Sequence, residues 1–349
     1  MAEISVDSTL SRIGTVSEIV ELIDPDVIAS HILETIEPQI DELVDEILLK
    51  RHQTLWKNLP NPIKNAIYLR VKEQLPHIMQ NLVEDMGPKI ESLFDLKKMV
   101  TDKLVQDKSL LNKIFLECGS REFSFIIKSG LWFGFIFGIP QLILWYFFPH
   151  AIVLPVCGFL VGWATNWVAL NMIFRPVNPK RIFGLNIHGL FLKRQAAVSD
   201  TFCRIITEEI LTVDQIVLAM LTGEESARTR AIIQKHFEAL VDESMGIIKP
   251  FTQVAIGPKG FADLKSDTGM KAIDLSVRTL NDLAFNQARA KVVQSIMSER
   301  MKNLPSEEFQ DLLRPCFQED EIKLIAIGGA LGAVAGMAQV AFIFGQTLF

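Results

Sequence analysis

Cysteine is scarce in this chain: Cys118, Cys157, Cys203 and Cys316 lie far apart, no CxxC occurs, and Cys157 sits inside an apolar run. Buried, reduced thiols are expected rather than a disulfide framework or a thiolate metal site. Histidine offers no more, since His31, His52, His77, His150, His188 and His236 are scattered and no HExxH is present. GxxxxGK[ST], a GxGxxG opening a βα unit, and GxSxG are also missing. Gly257-Pro258-Lys259-Gly260 lacks the strand and helix around a phosphate loop and reads as a turn. A catalytic site needs a positioned acid, base or nucleophile. None stands out, so a non-enzymatic protein without cofactor or metal is expected. An excess of basic charge is lacking too. The net charge of −6 and the pI near 5.6 give no reason to expect a nucleic-acid partner. The opening residues MAEISVDSTL are acidic and hold no apolar run, so no signal peptide is expected.

The most informative absence is that of charge from long stretches. Between Ile126 and Phe174 the sole formally charged residue is Lys128, and between Ile322 and Phe349 it is Lys323. Phe125–Phe148 and Ala151–Phe174 are separated only by Pro149 and His150. As a helix each would be about 35 Å long, enough to cross a hydrocarbon core of about 30 Å. The mean hydropathy of +0.27 alongside 22% charged residues says the apolar content is concentrated rather than spread. The expected fold is an all-α membrane protein with three transmembrane helices and two helical domains. The divisions are an N-terminal helical domain (1–124), a transmembrane hairpin (125–174), a second helical domain (175–321) and a C-terminal span (322–349).

Lysine and arginine set orientation. Lys103, Lys108, Lys113, Arg121 and Lys128 precede the first span; Arg175, Lys180, Arg181, Lys193 and Arg194 follow the second; Arg300, Lys302, Arg314 and Lys323 precede the third. The hairpin turn and the final residues hold neither. Both polar blocks are therefore expected in the cytoplasm, in a multi-pass protein of the membrane bounding it.

Along the first block, Ile32, Ile36, Ile40, Leu43, Val44, Ile47 and Leu48 share one helical face, opposite Glu34, Glu37, Asp41, Glu42, Asp45 and Glu46. Pro38 should start or kink a helix. Ile63, Ile67, Val71 and Leu75 space a helix ending near Pro76, and a further one runs from Ile78 to Met86, before Gly87-Pro88. In the second block, the loop 175–194 interleaves Phe183, Leu185, Ile187, Leu190, Phe191 and Leu192 with basic residues. Lys180, Arg181, Lys193 and Arg194 suit lipid headgroups, although a loop packed on its own domain would look similar. Helices are expected over Val198–Leu221, Ala227–Ile248 and Met270–Met301, with 250–266 irregular.

The approaches to the first and third spans echo each other. Gly134, Gly138 and Gln141 match Gly332, Gly336 and Gln339 at one offset, because 332−134, 336−138 and 339−141 are all 198. This suggests tandem units, each a helical domain followed by an outward-going span. Gly134-x-x-x-Gly138, Gly158-x-x-x-Gly162 and Gly328-x-x-x-Gly332-x-x-x-Gly336 also put small residues on one face of every span. Helices in lipid associate through such close approach, so a compact bundle or a homo-oligomer is expected. Within Thr165-Asn166-Trp167, the Asn166 amide must hydrogen-bond another helix or serve a small polar site. No ionisable group lies deep in a span, which argues against a proton- or ion-coupled transporter.

The run from Gly162 through Thr165-Asn166-Trp167 to Arg175-Pro176 resembles the signature of a bacterial membrane-protein family, domain-of-unknown-function family 445. Gly189-Leu190-Phe191-Leu192-Lys193-Arg194 is similar to that family's Gly-x-x-Pro-Lys-Arg loop, with Leu192 in the place of proline. Residues 94–100, 134–141 and 322–339 are similar to its C-terminal end. The resemblance implies a bacterial inner-membrane protein with helical cytoplasmic domains; it brings no activity, catalytic residue or cofactor. The function expected first is a membrane-anchored, oligomeric helical scaffold; the alternative is a protein that binds or transfers a lipid or small amphiphile. A channel would need polar lining that three spans barely provide.

Overall fold

The computed structural model describes residues 16–182, 185–246 and 249–344. Helices account for all regular structure there except one short hairpin. They are α1 (Val16–Ile23), α2 (Pro25–Ile36), α3 (Ile40–Asn58), α4 (Asn61–Met86), α5 (Ile90–Leu93), α6 (Leu96–Gln106), α7 (Lys108–Cys118), α8 (Ser120–Phe147) and α9 (Val153–Phe174). Strands β1 (Lys180–Ile182) and β2 (Leu185–Ile187) pair antiparallel, Lys180 opposite Ile187. Then come α10 (Leu190–Lys193), α11 (Gln195–Glu209), α12 (Val213–Thr222), α13 (Ser226–Met245), α14 (Lys249–Leu280), α15 (Leu283–Lys302) and α16 (Ser306–Phe344). Phe183 and residues 345–349 of the last apolar run lie outside the described residues.

Local chemistry explains most boundaries. Asp24, at φ 63, caps α2 by accepting from the Val27 amide at 3.4 Å, and Pro25 supplies the first helical turn. Pro38 sits in a single 3-10 turn between α2 and α3. Four expected boundaries differ. Pro76 lies inside α4 rather than ending it, because Ile67, Leu75, Ile78, Met79 and Leu82 bury one continuous face. That burial outweighs the roughly 3 kcal/mol an internal proline costs. Residues 250–266 are helical, broken only at Gly257 (φ 73), with Pro258 restarting the helix. The stretch 198–221 divides at 210–212, and 270–301 divides where Asp282 accepts from the amides of Ala284 (2.8 Å) and Phe285 (3.3 Å).

Two compact units result. One comprises Gly14–Lys103 with Ile206–Ser295; the other, Leu104–Ile205 with Ile296–Phe349. The first is a helical bundle in which Leu48, Trp56 and Ile67 share a core with Val241, Met245, Phe261 and Leu264. Asp45 accepts from Trp56 Nε1 (2.8 Å) and from the Tyr68 hydroxyl (2.5 Å). Burial, then that hydrogen bond, pushes the Tyr68 phenol above its ordinary range. Arg51 grips Asp267 at 2.5 Å.

The second unit carries three helices long and apolar enough to cross a membrane: 120–147, 153–174 and 321–343. Large apolar side chains project outward along the first, Leu131 at 76% exposure and Phe135 at 70%. Such a surface would aggregate in water and is ordinary against lipid. Beside the spans, the rings of Phe174, Phe191 and Phe309 follow one another at 5.6 and 5.7 Å. Gln195 Nε2 donates to the carbonyls of Met301, Lys302 and Leu304 where α15 ends. The Cys203 thiol lies 3.8 Å from Met301 sulfur, and burial pushes its pKa up to about 12. Cys118 and Cys157 are also buried, and among the described residues neither is in a disulfide; the side chain of Cys316 lies outside the described residues.

Candidate functional site

The glycine faces are brought together selectively. A Cβ at Gly158 would strike the carbonyl of Gly332, one at Gly162 the carbonyl of Gly328, and one at Gly336 the carbonyl of Leu154. Each step of four residues up α9 is matched by four down α16, so the two spans run antiparallel at backbone contact. Dispersion between the backbones, unobstructed by side chains, holds this pair. A methyl group added at Gly134 or Gly138, by contrast, would meet nothing within 4 Å. With α8 and α9 forming a hairpin, the Ser120, Phe174 and Glu321 ends of the three spans lie on one side.

Asn166 Nδ2 donates to the Leu324 carbonyl at 2.7 Å, joining the same two spans. Thr165 turns its hydroxyl back to Val161 O at 2.7 Å, which removes it as a free polar group. Trp167 stacks on Trp163, with centroids 6.2 Å apart. Beyond the helix, the Arg175–Pro176 peptide is cis, and Pro176 O accepts from Gly189 N at 3.0 Å.

The basic residues after the second span separate into different roles. Arg194 is engaged within the protein: its Nη1 donates to both oxygens of Glu122, at 2.6 and 2.7 Å, and Glu122 is almost fully buried. Burial of that carboxylate demands a cation, and Arg194 supplies it. Arg181 and Lys193 are exposed. Lys180 stands in an open crevice together with Arg175 and Arg314. With its amide set to satisfy both neighbours, Gln310 donates to Phe174 O (3.2 Å) and accepts from Arg314 Nη1 (3.0 Å). Glu122, Gln310 and Arg314 could not be singled out from the sequence, because nothing local marks a partner many residues away.

The helical bundle of residues 14–103 and 206–295 holds a different kind of site. A narrow cavity of about 100 Å³ opens between α2, α3, α4, α13 and α14. Ile36, Leu43, Val71, Leu75, Leu240 and Leu275 represent its walls, which are apolar nearly throughout. Its few polar side chains are accounted for with one exception. Thr268 and Ser276 bond back to the carbonyls of Leu264 and Ala272, each at 2.9 Å. Lys271 is held by the exposed Glu46 at 2.6 Å, marking where the lining meets solvent. Ser244, buried at 4% exposure, has no hydrogen-bond partner for its hydroxyl among the described residues.

Elsewhere the polar clusters read as ties between helices. Lys89 and then His236 hold the Asp85 carboxylate below its usual range, the ring Nε2 at 3.1 Å. Among the described residues, no group of three or more His, Cys, Asp or Glu is placed to hold a metal ion.

Fold and spans together define a helical membrane protein. Comparison with known proteins agrees with that class. The chain is 28% identical over 109 residues to a UPF0754 membrane protein of Staphylococcus aureus strain MRSA252, covering 30% of this chain and 29% of the relative. UPF0754 membrane proteins of strains JH9 and Newman match over the same extent. The match thus spans less than a third of the length of these curated relatives. No family model matches the chain, and no solved structure does.

Proposed function

We propose that this protein is a membrane-tethered receptor or carrier for a single-chain amphiphile, held in the helical bundle. The observation that carries the reading is the cavity: a narrow slot of about 100 Å³ between amphipathic helices, with walls that are apolar nearly throughout. That lining favours an acyl or similarly greasy chain. The Ser244 hydroxyl, without a partner among the described residues, offers one hydrogen bond to a carbonyl or carboxylate within largely apolar walls. The resemblance to family 445 and the Lys/Arg flanks support placing the protein in a bacterial inner membrane, with both polar blocks in the cytoplasm.

Native mass spectrometry of the full chain released from mild detergent tests the reading. The expected result is a bound mass in the fatty-acyl range that is lost in Ala272→Phe, which fills the cavity, while the thermal midpoint is kept. Apo protein in the wild type, with no uptake of an added long-chain fatty acid, overturns it.

A self-associating scaffold is the second reading. It is favoured by Gly134 and Gly138 on α8, where an added methyl group would meet nothing within 4 Å among the described residues. Subunit number from the same spectra decides it: a monomer in both wild type and Gly134→Leu counts against a scaffold.

A further inference from the structure

The crevice beside the second span combines features that belong together only at a lipid surface. Its floor is made by Trp167, Val168 and Met172, the last turns of a membrane-spanning helix. Its rim carries Arg175, Lys180 and Arg314, and among the described residues no carboxylate lines it. Arg175 and Lys180 are exposed, and among the described residues neither has a carboxylate within ion-pair distance. Arg314 is oriented by Gln310, and its buried Nε has no hydrogen-bond partner among the described residues. Two carboxylates stand near: Glu321 interacts electrostatically with Arg314 and Arg175, and Glu307 accepts from Asn178 at 3.0 Å. Glu321 thus offsets part of the charge on Arg314 and Arg175, while Lys180 does not act on it.

Three cations lining one crevice with an apolar floor suit a phosphate-bearing anion that brings its own hydrocarbon. The geometry points to a binding site for one anionic phospholipid, its phosphate among Arg175, Lys180 and Arg314 and its acyl chains along Trp167 and Met172. A guanidinium fixed by an amide loses little freedom when it binds phosphate, and Trp167 prefers the depth at which glycerol esters sit. The site is separate from the bundle cavity and stands or falls without it.

The test uses the full chain in detergent, titrated with phosphatidylglycerol, phosphatidylcholine and glycerol phosphate, read by native mass spectrometry and by the thermal midpoint. Phosphatidylglycerol is expected to bind and to raise the midpoint, with neither of the others matching it. Arg175→Gln and Lys180→Gln, both at exposed positions, should each weaken its binding about fivefold. Lys193→Gln, an exposed cation outside the crevice, should leave it unchanged. Equal responses to phosphatidylglycerol and phosphatidylcholine overturn the site. So does an equal response to glycerol phosphate alone, which identifies a free-anion site, or full binding retained in both crevice variants.

Discussion

Glu122, in the first turn of the first span, is clasped through both carboxylate oxygens by Arg194, 72 residues further on. The pair ties the membrane entry of α8 to the segment that follows the second span. Removing only one member strands a buried charge. Arg194→Met is therefore expected to cost about 3 kcal/mol, while Glu122→Leu combined with Arg194→Met recovers most of the loss. Denaturant titration in detergent checks this. Additive losses in the double variant would show that the two residues act independently.

Gly158 and Gly332 meet backbone to backbone, and each lacks room for even a methyl group. Gly332→Leu should therefore separate α9 from α16 and lower the thermal midpoint substantially, whereas Gly134→Leu should leave the monomer's midpoint nearly unchanged. The comparison is informative because the two glycines occupy matching places in the sequence echo. Equal sensitivity at both positions would contradict a backbone contact confined to α9 and α16.

The Asn166–Leu324 hydrogen bond spans 158 residues of sequence and joins the same pair of helices. Polar contacts between helices in lipid are worth about 1 kcal/mol. Asn166→Leu should cost about that much and leave assembly intact. Asn166→Gln, whose amide is displaced by one methylene, should not restore the bond. A stability equal to wild type in Asn166→Leu would remove the amide from the forces holding the bundle.

Much of this architecture was legible in the sequence because membrane spans announce themselves locally. A charge-free run such as 129–174 has few other physical explanations, and Asn166 within it demands a partner. Which carbonyl it finds is not a local property. The same limit explains the cavity: the apolar stripe of Ile36 and Leu43 is visible in the sequence, but its facing stripe on α13 and α14 is not. Pro76 misled for a related reason, since propensity predicts a break and only the buried face of α4 prevents it. Among the basic residues, composition could not tell Arg194, turned toward Glu122, from Lys180, left in the open crevice.

Asp200 gives the stability of the second unit a sign with respect to pH. Lys302, at 2.5 Å, and then the Ser298 hydroxyl, also at 2.5 Å, hold its carboxyl below the usual carboxylate range. A depressed folded-state pKa stabilises the fold fully above the unfolded value of about 4, and the contribution fades as pH falls through the lower folded value. The wild type should therefore exceed Asp200→Asn in thermal midpoint at pH 7, and the gap should narrow below about pH 4. Because Asp200 is half exposed, added salt should shrink the gap at pH 7 as well. Thermal scans of both proteins across pH 2.5–7 decide the matter. A gap that stays constant throughout would mean that shape and packing, rather than the ionised carboxylate, account for the residue's contribution.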